Sequence, residues 1–137
     1  MQDLLDASLI HPLPVLVAAL AGFAVGGLWY GPLFGAAWQQ ETGVRAEQMK
    51  SANLPRLYGS VLALNLVGAL ALTQFIGRSP TWQHGLLVAL AAGLTLVSTS
   101  LAVSYLFEFR SLKLWCINAG YQTVIFGVMG TILGAWH

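Results

Sequence analysis

The sequence predicts an all-α membrane protein, a four-transmembrane-helix bundle running up-down-up-down. Three observations carry that expectation. Four apolar runs, at about 13–30, 57–76, 85–107 and 114–136, fill most of a 137-residue chain. Each has the ~20 residues that a helix rising ~1.5 Å per residue needs to cross a hydrocarbon core of ~30 Å. Charged residues make up 8% of the chain and mean hydropathy is +0.72, against about 25% charged residues in a soluble domain. So little charge leaves too little polar surface for water, and the lipid bilayer becomes the natural solvent. The connections after the second and third runs are short, which forces antiparallel neighbours.

The first run opens with Pro12 and Pro14, where missing or constrained N–H groups cost nothing because a helix's first turn has no intrahelical acceptors. It ends at Gly31-Pro32-Leu33-Phe34-Gly35, since proline disfavours helix at the residue before it. Trp29, Tyr30 and Trp38 flank that break as rings at the headgroup level. Residues 39–55 form the main polar stretch, a cytoplasmic loop with a turn at Thr42-Gly43 and a short surface helix over 44–51. Pro55 starts the second run, and the turn at 77–84 joins it to the third. Glu108 to Lys113 is all that separates the third run from the fourth.

Met1 to Ile10 carries Asp3 and Asp6 rather than the basic start of a secretion signal, so the chain is expected to keep its N-terminus. A single integral membrane domain then covers 1–137. Loops one and three hold Arg45, Lys50, Arg56, Arg110 and Lys113, and the opposite side holds Arg78. The positive-inside rule places those two loops in the cytoplasm and both termini outside.

The stretch Gly26-Gly27-Leu28-Trp29-Tyr30-Gly31-Pro32-Leu33-Phe34-Gly35-Ala36-Ala37-Trp38 resembles the opening signature of the domain of unknown function 1761 family, small bacterial membrane proteins. Phe107-Glu108-Phe109-Arg110-Ser111, with Leu114-Trp115-Cys116-Ile117-Asn118-Ala119-Gly120-Tyr121, is similar to its second signature, and Met129 to Trp136 to its third. The resemblance spans essentially the whole chain. It implies a four-span bundle in the bacterial inner membrane and brings no activity, substrate or catalytic residue with it.

Small residues supply close helix contacts in lipid, where burial of apolar surface gains little. Ala18, Gly22 and Gly26 share one face of the first run; Gly130 and Gly134 repeat the spacing in the fourth, with Gly127 on a nearby face. These faces suit packing inside the bundle, a homo-oligomer interface (a dimer first), or both.

Polar groups inside the spans define the candidate site. Ser100, Ser104 and Glu108 form one stripe on the third run; Asn118 and Gln122 another on the fourth beside Tyr121; the second run holds Asn65. All lie in the half expected to face the cytoplasm. They converge on a polar pocket with Glu108 at its mouth and Trp29 and Tyr30 as walls. The plainer alternative is interhelical hydrogen bonding that fixes register, with serines bonded to their own helix and Glu108 paired with Arg110 at the surface.

No mid-membrane acid or base is present, which speaks against a proton-coupled exporter. His11, His84 and His137 lack metal-ligand spacing, so no metal or other cofactor is expected. Cys116 reads as a small packing residue. A net charge of +1 excludes a nucleic-acid partner, and no motif of phosphate binding, serine hydrolysis or metalloproteolysis occurs. The expectation is a non-enzyme. One reading is a homo-oligomeric transporter, channel or ligand-binding protein with a cytoplasm-facing pocket. The other is an accessory or lipid-binding module packed against another membrane protein.

Overall fold

The computed structural model describes residues 6–77 and 81–136. Arg78, His137 and part of the turn at 77–84 lie outside them. The described chain is helical, with no strand among the described residues. Its elements are α1 (Pro12–Leu28), α2 (Gly35–Thr42), α3 (Ala46–Ser51), α4 (Leu54–Ile76), α5 (Trp82–Ala91), α6 (Ser98–Phe107) and α7 (Leu112–Ala135). Two π-helical segments extend this set: Trp29–Leu33 prolongs α1, and Ala92–Val97 joins α5 to α6 without a break. Four continuous helices therefore result, Pro12–Leu33, Leu54–Ile76, Trp82–Phe107 and Leu112–Ala135. Each is long and apolar enough to cross a membrane.

The helix ends follow local chemistry. Pro12 and Pro14 sit in the first turn of α1. Asn53 caps α4 by accepting from the Arg56 N–H, Thr81 caps α5 through His84, and Ser111 caps α7 through Leu114. Pro32 does not end the first span. The helix passes through it by widening one turn, so that the Phe34 N–H donates to the Trp29 carbonyl five residues back at 2.8 Å. That wider turn accommodates a ring that removes one N–H and crowds the carbonyl four residues earlier. The break comes at Phe34. The polar stretch then holds two helices, α2 and α3, where one was expected. Between them Gly43, at φ 75°, takes the left-handed conformation that closes α2.

α7 is the most buried of the four spanning helices and packs on α5 and α1; α1 also packs on α4. The α5–α7 seam is backbone against backbone. A Cβ built on Gly130 would lie 2.3 Å from the Ala89 Cβ and 2.4 Å from the Gly85 carbonyl oxygen. One on Gly134 would lie 2.3 Å from the Thr81 oxygen. Successive contacts pair 81 with 134, 85 with 130 and 93 with 123, so the two helices run in opposite chain directions.

The largest cluster of buried apolar residues occupies one half of the bundle, with Leu114 and Ile117 of α7 buried in the other half. Val15, Ala18, Ala69, Leu72, Ile76, Ala89, Met129 and Leu133 form the cluster. All of them lie toward the end that carries the start of α1 and the end of α7, called here the terminal end. Residues 6–11 close over this end, where the Asp6 N–H donates to Gln74 Oε1 at 2.7 Å and Gln74 Nε2 returns a bond to the Asp6 carbonyl. The opposite half, the loop end, carries α2, α3 and the 108–111 turn. There α4 exposes most of its first ten residues; over its length it packs on α1, α7 and α5 but not appreciably on α6.

Candidate functional site: a hydrogen-bonded brace in the loop half

Beside the buried Leu114 and Ile117, a set of polar bonds centred on α7 ties the spans together in the loop half. The Tyr30 hydroxyl donates to Asn118 Oδ1 at 2.6 Å, and Asn118 Nδ2 donates to the Tyr105 hydroxyl at 2.6 Å. One amide thereby ties the first span, the third span and α7. Two indoles reinforce it: Trp29 Nε1 donates to the Ile117 carbonyl at 3.0 Å, and Trp115 Nε1 to the Ser98 carbonyl at 2.9 Å. Both bonds join α7 to a π-helical segment or its edge. The segment in the third span has its own closure, since Ser98 Oγ donates to the Gly93 carbonyl, five residues back, at 2.7 Å.

Rings fill the space around these bonds. Tyr30 packs edge-on against Tyr121 (centroids 4.9 Å apart) and against Trp38 of α2. Trp29 stacks obliquely on Phe34 at 4.6 Å. Glycine makes the close approach possible at two points: a Cβ on Gly26 would lie 2.9 Å from the Tyr121 hydroxyl, and one on Gly120 3.2 Å from the Trp29 ring.

The sequence-derived candidates divide cleanly. Trp29, Tyr30, Asn118 and Tyr121 meet in the brace. Asn65 is buried nearer the terminal half, its Nδ2 3.5 Å from the Ala19 carbonyl and beside Gly22 and Met129. Ser100 and Ser104 are exposed, and the Ser100 hydroxyl bonds the Leu96 carbonyl of its own helix. Glu108 lies at the surface, paired with Arg110 Nε at 3.0 Å. Gln122 is half-buried and makes no side-chain hydrogen bond among the described residues. The small-residue faces lie within the bundle: Ala18 and Gly22 are buried in it, Gly26 meets Tyr121, and Gly127, Gly130 and Gly134 meet α5. Cys116, expected in the packing, is exposed on the outside of α7.

Three participants escaped the sequence reading: Tyr105, Trp115 and Ser98. The face of α6 that bonds α7 carries Ser98 and Tyr105, seven residues apart and rotated from the Ser100–Ser104 row. The surface loops also dock here, since the Ser111 hydroxyl donates to Glu41 Oε2 at 2.6 Å, tying α2 to the start of α7. His84 Nε2 lies 2.9 Å from the Ile76 carbonyl. Among the described residues no three His, Cys, Asp or Glu side chains gather as a metal site would need.

Four apolar spanning helices, with a polar brace between three of them in one half, define a small helical membrane protein of the four-span bundle class. The sequence pattern of a protein family of unknown function, DUF1761, matches residues 13–134, and the chain belongs to that family. No curated protein and no solved structure matches it.

Proposed function

We propose that this chain is a non-catalytic membrane module that works by pairing laterally with another membrane protein, a second copy of itself in the simplest case. One observation carries the reading. The third span is the least buried of the four, and it turns two hydroxyl rows outward, Thr95 with Thr99 and Ser100 with Ser104. Small hydroxyl residues on an outer face are what helices use to associate in lipid. The internal polar groups support it from the other side. The amide of Asn118 is committed to Tyr30 and Tyr105, bonds that fix helix register rather than line a passage. The Lys and Arg excess in loops one and three favours a cytoplasmic face at the loop end, with both termini outside.

A second reading, a transporter or ligand-binding protein, draws on Gln122. Its half-buried amide lacks a partner among the described residues inside a span. An unpartnered amide at that depth is costly and invites a ligand or water.

Native mass spectrometry from lipid nanodiscs separates the two. The pairing reading expects dimers that dissociate when Ser100 and Thr99 are both changed to Leu. A monomer in the wild type, carrying a small polar molecule lost in Gln122→Leu, overturns it in favour of the second.

A further inference from the structure

A cavity of about 290 Å³ opens between α6 and the start of α7 at the loop end. Ala102, Leu106, Leu112 and Trp115 give it apolar walls, and Tyr105 and Arg110 also line it. Arg110 lies three residues beyond Phe107, the last residue of the third span, and two before the first residue of α7. That is the depth at which hydrocarbon gives way to headgroups.

The polar end of the cavity offers donors. Glu108 occupies only the Nε of Arg110, and the N–H groups on its two Nη atoms make no bond among the described residues. The guanidinium carbon stands 5.8 Å from the centre of the Tyr105 ring, which holds it over the cavity wall. The Tyr105 hydroxyl accepts from Asn118, so its own proton has no acceptor among the described residues. Of the two nearby acids, Glu108 pairs with Arg110, and Glu41 keeps its charge while it accepts from the Ser111 hydroxyl, which also lines the cavity. Lys113 follows in the next turn. Apolar walls below, the free Nη groups of Arg110 above with Lys113 nearby, and a position at the headgroup level describe a receptacle for an amphiphile whose head is an acceptor-rich anion.

We infer that this cavity holds one anionic glycerophospholipid, its phosphodiester on the Arg110 Nη groups and an acyl chain along Ala102, Leu106 and Trp115. The inference goes beyond lateral pairing and needs only a single chain, so a monomer that retains the lipid would leave it standing while pairing fell. Arginine suits the task because its planar fork matches phosphate oxygens.

The test is native mass spectrometry after reconstitution with equal amounts of phosphatidylglycerol and phosphatidylcholine. The wild type should retain one phosphatidylglycerol per chain, and Arg110→Gln should lower that retention about fivefold, the scale of one basic residue at an anionic surface. Arg110 is in an exposed turn, so its variant keeps the fold. Ala102→Phe, which fills the cavity, should lose retention of both lipids. Equal retention of phosphatidylglycerol by wild type and Arg110→Gln overturns the inference. So does displacement of the lipid by millimolar glycerol 3-phosphate, which would mark a site for a soluble phosphate instead.

Discussion

Tyr30 and Asn118 lie 88 positions apart in the chain and 2.6 Å apart in the fold. Their bond is one half of a brace whose other half reaches Tyr105. It stands beyond the largest buried apolar cluster, which ends near Ala18, Ala69 and Met129, and beside the buried Leu114 and Ile117 of α7. Helices in lipid gain little from hiding apolar side chains from one another, so a directional bond between spans can specify their register where packing does not.

Replacing the shared amide tests that division. Asn118→Leu removes both bonds and leaves two tyrosine hydroxyls to find other partners. Interhelical hydrogen bonds in membranes average ~0.6 kcal/mol and reach ~1.7, so the variant should lose about 1–2 kcal/mol. Gln122→Leu has no side-chain bond to lose and should stay within about 0.5 kcal/mol of wild type. Unfolding in mixed micelles with rising dodecyl sulfate measures both. An equal loss in the two variants would show that the brace is not centred on Asn118.

The α5–α7 seam should tolerate less. A methyl on Gly130 falls 2.3 Å from the Ala89 Cβ and 2.4 Å from a backbone oxygen, neither of which can rotate away. Gly130→Ala therefore has to push the two helices apart, at about 1–3 kcal/mol for an overpacked contact. Gly27 is the internal control: nothing lies within 4 Å of the position its Cβ would occupy. There the same change should be neutral or stabilise by up to about 1 kcal/mol, through the higher helix propensity of alanine. The same dodecyl sulfate titration reads both, and similar losses at the two positions would contradict the seam.

These contrasts show what sequence could and could not supply. Span length and apolar composition are local, so the four helices were legible, as was a turn at Thr42-Gly43, though not its left-handed conformation. The glycines at 130 and 134 were legible as a close-packing face, but not that their contact would be the backbone of α5. The site was only half legible. Trp29, Tyr30, Asn118 and Tyr121 stood out as polar or aromatic residues in spans, whereas Tyr105 did not. The π-helical segment at Ala92–Val97 is part of the reason. It adds a residue to the turn, so a face projected along the third span at constant pitch arrives at Ser100 and Ser104 when the inward face carries Ser98 and Tyr105. The passage of the helix through Pro32 was hidden in the same way, since a widened turn leaves no mark in hydrophobic periodicity.

Glu108 illustrates a polar residue whose partner is local. Its side chain is 54% exposed and its bond to Arg110 spans two residues of one turn. Exposed pairs of this kind contribute ~0–1 kcal/mol and are weakened by salt. Glu108→Gln should change stability by less than about 0.5 kcal/mol, with the difference vanishing in high salt. A larger loss that persists in salt would assign Glu108 a role deeper than the surface pair.

Ser98 and Ser100 make the last comparison, because both are serines of the third span and both bond a carbonyl of their own helix. Their surroundings differ. Ser98 is 4% exposed, reaches back five residues to close the π-helical segment, lies 3.4 Å from Thr123 Oγ1, and lends its carbonyl to Trp115. Ser100 faces outward and reaches back the usual four residues. Ser98→Ala removes a buried bond whose acceptor, Gly93, lies against Thr123 of α7, and should cost about 1 kcal/mol. Ser100→Ala should leave the stability of the single chain within about 0.5 kcal/mol. The environment of Trp115 gives an independent readout. Loss of the widened turn would rotate the Ser98 carbonyl away from the indole, so near-ultraviolet dichroism should change in Ser98→Ala and not in Ser100→Ala. Identical spectra for the two variants would mean that the segment is held by its packing on α7 and not by the Ser98 hydroxyl.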